Sequence, residues 1–250
     1  MVVELDWLEV TAPDGGILKV QKRPHPRARR LRLTVSAEGA RLSYPHGTHP
    51  GQMAAFLQQN AAWLARKLDE LKPTPTAPLC VGQSRQILLR GVPVSLDWLQ
   101  DRYPRVQHTA QGVRITLPER IHQPERLAQA LLRSWYETEL RHDMLQAMPR
   151  LVTQLDKAPS RLRVRPLKSL WGSLDSRDGI GLDLTLILAP PAVARYVLAH
   201  ELAHLRVRNH SQRFWAQVGE LVPDYEVRRA WLREHGTPLK TYWGYLFAKR

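Results

Sequence analysis

A chain of 250 residues, 43% hydrophobic and 24% charged, is long enough to bury its own apolar core and has the composition of a folded globular protein. Its formal net charge of +14 predicts a positive field that attracts phosphates, anionic membrane surfaces or acidic proteins. Cys80 is the only cysteine, which excludes an internal disulfide and a cysteine-based zinc knuckle and favours a reducing compartment. We therefore expect a cytoplasmic protein.

The first residues do not resemble a targeting segment. Glu4 and Asp6 stand where a signal peptide needs a basic start and an uncharged apolar stretch. The most apolar region, 182–205, is interrupted by charged residues and prolines, unlike a membrane-spanning segment. We predict neither secretion by that route nor a membrane helix.

Residues 1–122 predict an N-terminal β-rich region with one helix. The strand-like runs ILKVQ, LRLTV and ARLSY, separated by glycine-containing turns, predict a small antiparallel sheet. Apolar residues at helical spacing predict a helix within 48–71, and the prolines of KPTPTAP predict a linker near 72–78. A second set of strands, with a tight turn at Gly91, is expected over 81–117.

A dense basic stretch lies inside this region. Its cations are Lys22, Arg23, Arg27, Arg29, Arg30 and Arg32. The prolines at 24 and 26 keep the first half extended. A solvated hairpin and a contact with an anion or nucleic acid both explain such a stretch, and the sequence leaves both open.

A second domain is expected over 123–250. It begins with a long helix that starts near Pro124 and is interrupted at Pro149. The residues expected to be buried on this helix are Leu127, Leu131, Trp135 and Met144. RLRVRP at 161–166 then predicts a strand with three arginines on one face.

Further elements are predicted around the most apolar region. WGSLDSRDGIGLDLTLIL predicts a hairpin that turns at Asp178-Gly179. Two prolines at 190 and 191 suit the start of an apolar helix, which we expect to end near Asn209. Another helix, capped by Ser211, should follow.

The sequence HELAH at 200–204 has the spacing of a metal site. His200 and His204 differ on a helix by only about 40° of rotation, so both can bind one metal. Glu201 is displaced around the helix, where its carboxylate can act as general base on a water at the metal. Catalytic zinc needs a third protein ligand, and a turn after the helix can bring His210 to it.

We therefore predict a Zn²⁺ site with His200, His204 and His210 as ligands and Glu201 as the catalytic residue. A structural metal and a chance occurrence of the motif are the alternatives, although a structural zinc normally closes its fourth position with a residue. Asp224 or Glu226 would be the next candidates for third ligand.

The chain resembles the YgjP-like metal-dependent hydrolases, a family of zincin metallopeptidases related to the SprT-like and WLM groups. The shared motifs are RARRLRLTV, AAWLARKLDEL, WGS at 171–173, LILAPP, HELAH, NHSQRFW and PDYEVRRAWL. The resemblance implies an α+β fold in which the N-terminal region precedes a zincin-like catalytic domain, a small sheet plus the HExxH helix. It also implies the same three ligands and the same catalytic glutamate. Leu174 departs from the family, which usually has cysteine there, as does Gly181-Leu182-Asp183, where an Asn-Leu-Asn type strand is usual.

Other polar and aromatic residues invite functional roles. Asp183, Asp224 and Glu226 could orient a ligand histidine, although each also suits a helix cap or an exposed surface. Tyr225 could stabilise an oxyanion. The tryptophans expected to pack in the core or against a helix, rather than to stack on a ligand, are Trp171, Trp215 and Trp231.

Three functions follow from these features. The first is a zinc metallopeptidase that cleaves a peptide or protein held along a sheet edge, expected near Leu184–Leu188. The second is a metal-dependent nucleotide pyrophosphohydrolase that neutralises phosphates with nearby arginines. These arginines are Arg161, Arg163, Arg165, Arg206 and Arg208. The third is a DNA-associated protease module whose basic surface binds nucleic acid.

Overall fold

The computed structural model describes residues 7–26, 28–36, 39–71, 78–155 and 157–248. The chain divides into a smaller unit, Met1–Thr76 with Lys240–Gly244, and a larger unit, Ala77–Leu239 with Tyr245–Arg250. The predicted α+β class is confirmed, whereas the predicted domain boundary at residue 122 stays a prediction. Residues 72–77 of the predicted linker lie outside the described residues. Within the described ranges, no helix is both long and apolar enough to span a bilayer.

The smaller unit contains a four-stranded sheet of order β1-β2-β4-β3. Its strands are β1 Trp7–Thr11, β2 Ile17–Pro24, β3 Arg32–Ser36 and β4 Gly39–Tyr44. One pairing differs from the predicted antiparallel sheet, because β2 and β4 run parallel. The other two pairings are antiparallel, as expected.

Two helices cover this sheet where the sequence predicted one. They are α1 Pro50–Gln59 and α2 Ala61–Leu71. The break falls at Asn60, whose side-chain amide donates to the Phe56 carbonyl at 2.8 Å and so competes with continued helical bonding. Alternating strand residues and helix residues close one apolar core. Its buried members are Val10, Val20, Ala40, Leu42, Met53, Leu57, Ala61 and Leu64.

The larger unit begins with a second four-stranded sheet of order β5-β6-β8-β7, the topology of the first. Its strands are β5 Gln86–Leu89, β6 Val92–Gln100, β7 Arg105–Thr109 and β8 Gly112–Leu117. Arg90 and Gly91 join the first two strands with φ of 51° and 86°. A two-residue type I′ hairpin needs positive φ at both positions, so the predicted turn at Gly91 is confirmed.

The long helix α3, Pro124–Thr153, follows and begins where predicted. Its buried residues are Ala128, Leu132, Tyr136, Leu140, Met144 and Leu151. Met144 was predicted correctly, but Leu127, Leu131 and Trp135 are only partly buried, one position away from the buried face. Both sets have helical spacing, so periodicity alone could not choose between them.

The predicted interruption of α3 at Pro149 is wrong. Proline removes one helical donor, and the carbonyl that loses its partner belongs to Leu145. The Leu145 residue is 51% exposed, so water can reach this part of the helix. Only one further turn follows the proline, which limits the cost of the missing bond.

The third sheet has the order β10-β11-β9, so that β10 is an edge strand. Its strands are β9 Arg161–Arg165, β10 Gly172–Leu174 and β11 Gly179–Asp183. The predicted hairpin is confirmed, and Asp178 in its turn has a φ of 57°. The predicted strand at Leu184–Leu188 is wrong: these residues form a buried 3-10 helix, capped by the Asp183 carboxylate, which accepts from the Thr185 amide.

Three helices complete the chain. They are α4 Pro191–Ala203, α5 Gln212–Leu221 and α6 Tyr225–Leu246. The start of α4 agrees with the two prolines, and Ser211 is the N-cap residue of α5 as predicted, although its side chain makes no capping bond. The end of α4 was misplaced, because the helix stops at Ala203 instead of near Asn209.

Arg90 links three elements of the larger unit. Its guanidinium donates to Asp143 and Glu139 of α3, each at 2.8 Å. Its backbone N–H donates to the Ile187 carbonyl of the 3-10 helix, also at 2.8 Å. The side-chain bond to Asp143 is the main reason why the pKa of Arg90 is raised. The hairpin, α3 and the segment before α4 are thereby joined at one residue.

Leucines 131 and 132 test the observed orientation of α3. Leu132→Ala should lower the free energy of unfolding by about 2–5 kcal/mol, because it leaves a cavity in the core. The matched change Leu131→Ala should cost less than about 1.5 kcal/mol, because that side chain is only partly buried. Chemical denaturation of both variants measures the difference, and equal losses would contradict this helix orientation.

Candidate metal centre

The candidate centre lies at the C-terminal end of α4, a helix buried on almost every face. Apolar residues of α4 pack against α3, the third sheet and the 3-10 helix. Its buried residues include Val193, Val197, Leu198 and Leu202. Because these side chains fix the rotation of the helix, the side chains of His200 and Glu201 are directed by core packing.

Three histidines converge at this end of the helix. The ring nitrogens of His200, His204 and His210 that can serve as ligands all lie within 4.8 Å of one another. The Nε2 atoms of His200 and His210 are 3.1 Å apart. Tetrahedral zinc with bonds of about 2.0–2.1 Å separates two nitrogen ligands by roughly 3.3 Å. The donor set therefore fits a zinc-sized ion.

The tautomer of His204 suits metal binding. Its Nδ1 lies 3.0 Å from the Val207 carbonyl oxygen. A carbonyl can only accept, so Nδ1 carries the proton and donates, and Nε2 is left with a free lone pair. The bond also holds the ring against the turn that follows α4.

Two aromatic residues of α5 pack against the three histidines. The Phe214 ring stacks on the His204 ring at 4.4 Å between centroids, and presents its edge to His200 and His210 at 4.9 and 4.8 Å. Phe214 is fully buried. Trp215 lies 5.7 Å from the His200 ring and 5.8 Å from the His210 ring. These contacts restrict ring rotation, which pre-organises a metal site.

The environment keeps two of the histidines neutral. Burial, together with the smaller effects of the neighbouring His204, His210 and Arg229, lowers the pKa of His200 to about 4. Burial likewise lowers the pKa of His204, against the opposing effect of its bond to Val207. A metal ligand must be unprotonated, so both shifts favour coordination near neutral pH.

The side chain of Glu201, a residue of α4, lies against the edge strand β10. The residue is 5% exposed, and burial raises the pKa of its carboxyl to about 7. A Cβ added to Gly172 would stand 2.6 Å from the Glu201 Oε1 atom and 2.7 Å from its Cγ. The carboxylate therefore occupies the space that the missing side chain of Gly172 leaves open.

Ion pairs hold the loop that carries His210. Arg208 pairs with Asp178 in the turn between β10 and β11, and Lys157 pairs with the same carboxylate. Arg206 donates to the Leu155 carbonyl at 2.8 Å. These long-range contacts give the loop a fixed path after α4 ends.

The structure also locates the other residues singled out in the sequence. Asp183 caps the 3-10 helix, and Asp224 pairs with Arg228 one turn along α6. Among the residues that the structure describes, neither Asp224 nor Glu226 belongs to a potential metal-binding group. Tyr225 stacks on Trp215 with ring centroids 5.5 Å apart.

The tryptophans pack against other residues, as the sequence analysis expected. The Trp171 ring fills the space beside Gly236, and Trp231 packs on His235 at 4.6 Å. Trp215 also forms a cation–π contact with Arg229, whose guanidinium carbon lies 4.4 Å from the ring centroid.

Sequence reasoning missed Phe214, Gly172 and Arg229 as parts of the centre. Phe214 and Gly172 lie within the motifs NHSQRFW and WGS, and Arg229 lies within PDYEVRRAWL. Their presence in these motifs was the only sequence signal, because no spacing rule connects α5, β10 and α6 with α4.

Three histidines that can hold a metal, next to a buried glutamate, define the class of site as that of a metal-dependent hydrolase. The family model described as YgjP-like, metallopeptidase domain, matches residues 29–235. The match covers most of the chain, which therefore belongs to the YgjP-like metallopeptidase family.

Two solved structures of metallopeptidase zymogens are similar to parts of the chain. Abylysin from Pyrococcus abyssi has 23% identity and a TM-score of 0.33, over 36% of this chain and 93% of its own. Jannalysin from Methanocaldococcus jannaschii has 16% identity and a TM-score of 0.32, over 36% and 86%. The comparison with curated proteins found no match.

The contribution of His210 to metal binding can be measured directly. His210→Ala should strip the protein of zinc during dialysis against a mild chelator, because only two protein ligands would remain. The fold should persist, since His210 is exposed. His142→Ala, which removes an exposed histidine of α3, is the matched control and should retain zinc. Elemental analysis with circular dichroism gives the readout, and equal retention in both variants would exclude His210 as a ligand.

Proposed function

We propose that this protein is a zinc metallopeptidase in which His200, His204 and His210 hold the metal and Glu201 is the catalytic acid/base. The observation that carries the proposal is the convergence of three imidazole nitrogens within 4.8 Å on the same helix end as a buried carboxylate. A zinc ion bound there supplies a Lewis acid that polarises a peptide carbonyl and makes water more acidic.

Glu201 is suited to move the proton. No hydrogen bond from a described residue reaches its carboxylate, and burial alone raises its pKa to about 7. A carboxylate with this pKa can take a proton from the attacking water and return it to the leaving amine without a large energetic mismatch on either side. The close approach of the Gly172 backbone to the carboxylate supports a defined position for the oxygen that would accept the proton.

The edge strand β10 is the proposed docking strand for the peptide, in place of Leu184–Leu188. The Trp171 carbonyl and the Asp175 amide bond inward to β11. Because backbone groups alternate along a strand, those of Gly172 and Leu174 point to the open edge. A peptide added there as an extra strand would pass directly beside Glu201.

Nucleotide pyrophosphohydrolysis remains an untested prediction. Of the arginines on which it depends, Arg161 pairs with Asp175, Arg208 pairs with Asp178, and Arg206 donates to a carbonyl. Arginines engaged in this way have less positive charge to offer a phosphate. No contact in the centre favours this reaction over peptide hydrolysis, which is why we place peptidase activity first.

Two further parts of the prediction are retained as proposals. A reducing, cytoplasmic environment agrees with the single buried cysteine, Cys80. An association with nucleic acid is proposed for residues outside the metal centre, since Arg161 and Arg208 each pair with an aspartate.

Glu201→Gln tests the proposed chemistry. The amide should keep the zinc and the fold but reduce turnover by about 10²–10⁴, because it cannot accept a proton. Glu226→Gln, on the exposed surface of α6, should leave turnover unchanged. Mass spectrometry monitors the cleavage of casein and of a peptide library. Hydrolysis of nucleoside triphosphates is measured in parallel. If the native protein hydrolyses nucleotides but cleaves no peptide, and the Glu201→Gln variant loses the nucleotide hydrolysis, the alternative reaction is the correct one.

Gly172→Ala tests whether the space beside β10 positions Glu201. The new methyl group would overlap the carboxylate, so we expect at least a tenfold fall in kcat with zinc content unchanged. Gly219→Ala is the control, because its added methyl would meet only ordinary contacts at 3.6 Å from Tyr225. Full activity in Gly172→Ala would mean that the backbone of β10 does not fix the carboxylate.

A further inference from the structure

A second potential binding site lies in the smaller unit, in a groove of about 850 Å³. Basic and aromatic side chains line it together. The lining residues used below are Arg30, Arg32, Phe56, Asn60 and Trp63, and we call this feature the basic groove. A groove of this size can take a ligand the size of a nucleotide.

The two arginines of the basic groove have no counter-charge in the part of the chain that the structure describes. Arg30 and Arg32 are exposed, and neither forms an ion pair or a hydrogen bond with a described residue. The arginines around the metal centre differ, since Arg161 and Arg208 each pair with an aspartate. Among the described residues, no carboxylate lines the groove, so its field is positive.

The aromatic side of the groove is also open. Phe56 of α1 and Trp63 of α2 are half-buried against the core, and each exposes part of its ring to the groove. The Trp63 indole N–H donates no hydrogen bond to a described residue, and no described ring stacks on it. A partly exposed indole without a partner is a stacking surface and a donor available to a ligand.

Asn60 adds a hydrogen-bonding group between the two rings in sequence. Its amide nitrogen donates to the Phe56 carbonyl at 2.8 Å, which fixes the side chain. Its Oδ1 atom is thereby left as an acceptor. The groove thus combines cations, an aromatic surface and an oriented amide, which are the groups that recognise phosphates, base faces and base edges.

We propose that the basic groove binds single-stranded nucleic acid. The two arginines neutralise backbone phosphates, and a base stacks on Trp63. This combination accepts any base, because every base has a π face. An acidic peptide would satisfy the arginines alone and leave the ring unused, and a duplex would keep its bases stacked on each other. The proposal is independent of the metal centre and of its activity.

The arginines are tested with a fluorescein-labelled oligo(dT) of 20 nucleotides and the full-length protein, by fluorescence anisotropy over a range of salt. Arg30→Gln with Arg32→Gln should weaken binding and reduce the slope of log K against log salt by about 1.4, since each single-strand phosphate contributes about 0.7. The control pair, Arg23→Gln with Arg29→Gln, removes the same charge from the same unit outside the groove and should change the slope little. An equal effect of both pairs would overturn the site.

The aromatic contact is tested in two ways. Trp63→Leu should weaken oligo(dT) binding about tenfold, the loss expected for one stacked base. If this variant unfolds, photocrosslinking of the native protein to an oligonucleotide with 5-iododeoxyuridine replaces it. Crosslinks at Trp63 or Phe56 would support the site, and crosslinks found only elsewhere would overturn it.

Competition identifies the ligand. Unlabelled oligo(dT) should displace the probe, whereas polyglutamate, free thymidine monophosphate and a duplex of equal length should compete at least tenfold less well. Equal competition by any of these three would overturn the assignment to single strands. If the protein does not bind oligo(dT) at 50 mM salt, the proposal as a whole is overturned. This outcome would not bear on the proposed peptidase activity.

Discussion

Burial of α4 is the constraint on which the metal centre depends. A helix with apolar contacts on nearly all faces has one rotation that fits its surroundings, because a change in rotation would open cavities or create overlaps. Leu198, Leu202 and Val197 are each no more than 3% exposed. The same packing places His200 and Glu201 at the end of the helix that meets β10 and α5. The core therefore positions His200 and Glu201, whereas His210 lies on the loop that follows α4.

The same burial also sets the charge states of the centre. Removal from water disfavours the charged form of every group, so it lowers the pKa of His200 and raises that of Glu201. Both residues are thereby shifted towards neutrality by one physical cause. A cation bound between the histidines would replace the lost hydration and favour the ionised carboxylate. Packing and chemistry are linked in this way, since the tight core that orients the groups also tunes them.

Local patterns predicted much of this molecule, and what they missed has both local and long-range causes. Helix geometry predicted that His200 and His204 share one face, and the tolerance of glycine for positive φ predicted the turn at Gly91. The loop that carries His210 is joined to the turn between β10 and β11 by Arg208 and Asp178, a pair 30 residues apart in sequence. Leu184–Leu188 looked like a strand because its residues are apolar, and it became a 3-10 helix because Asp183 caps it within a fully buried setting. The face of α3 was missed because two neighbouring leucines fit the same periodicity.

The high net charge of the chain conceals two kinds of basic residue. In the larger unit, Arg90 and Arg208 each pair with carboxylates and join elements that are distant in sequence. Their charge stabilises the fold and is partly cancelled locally. In the smaller unit, Arg30 and Arg32 lie in a groove that no described carboxylate lines, and their charge faces the solvent. Net charge alone therefore cannot say where an anionic partner binds, whereas the distribution of paired and unpaired arginines separates structural cations from those free to bind a ligand.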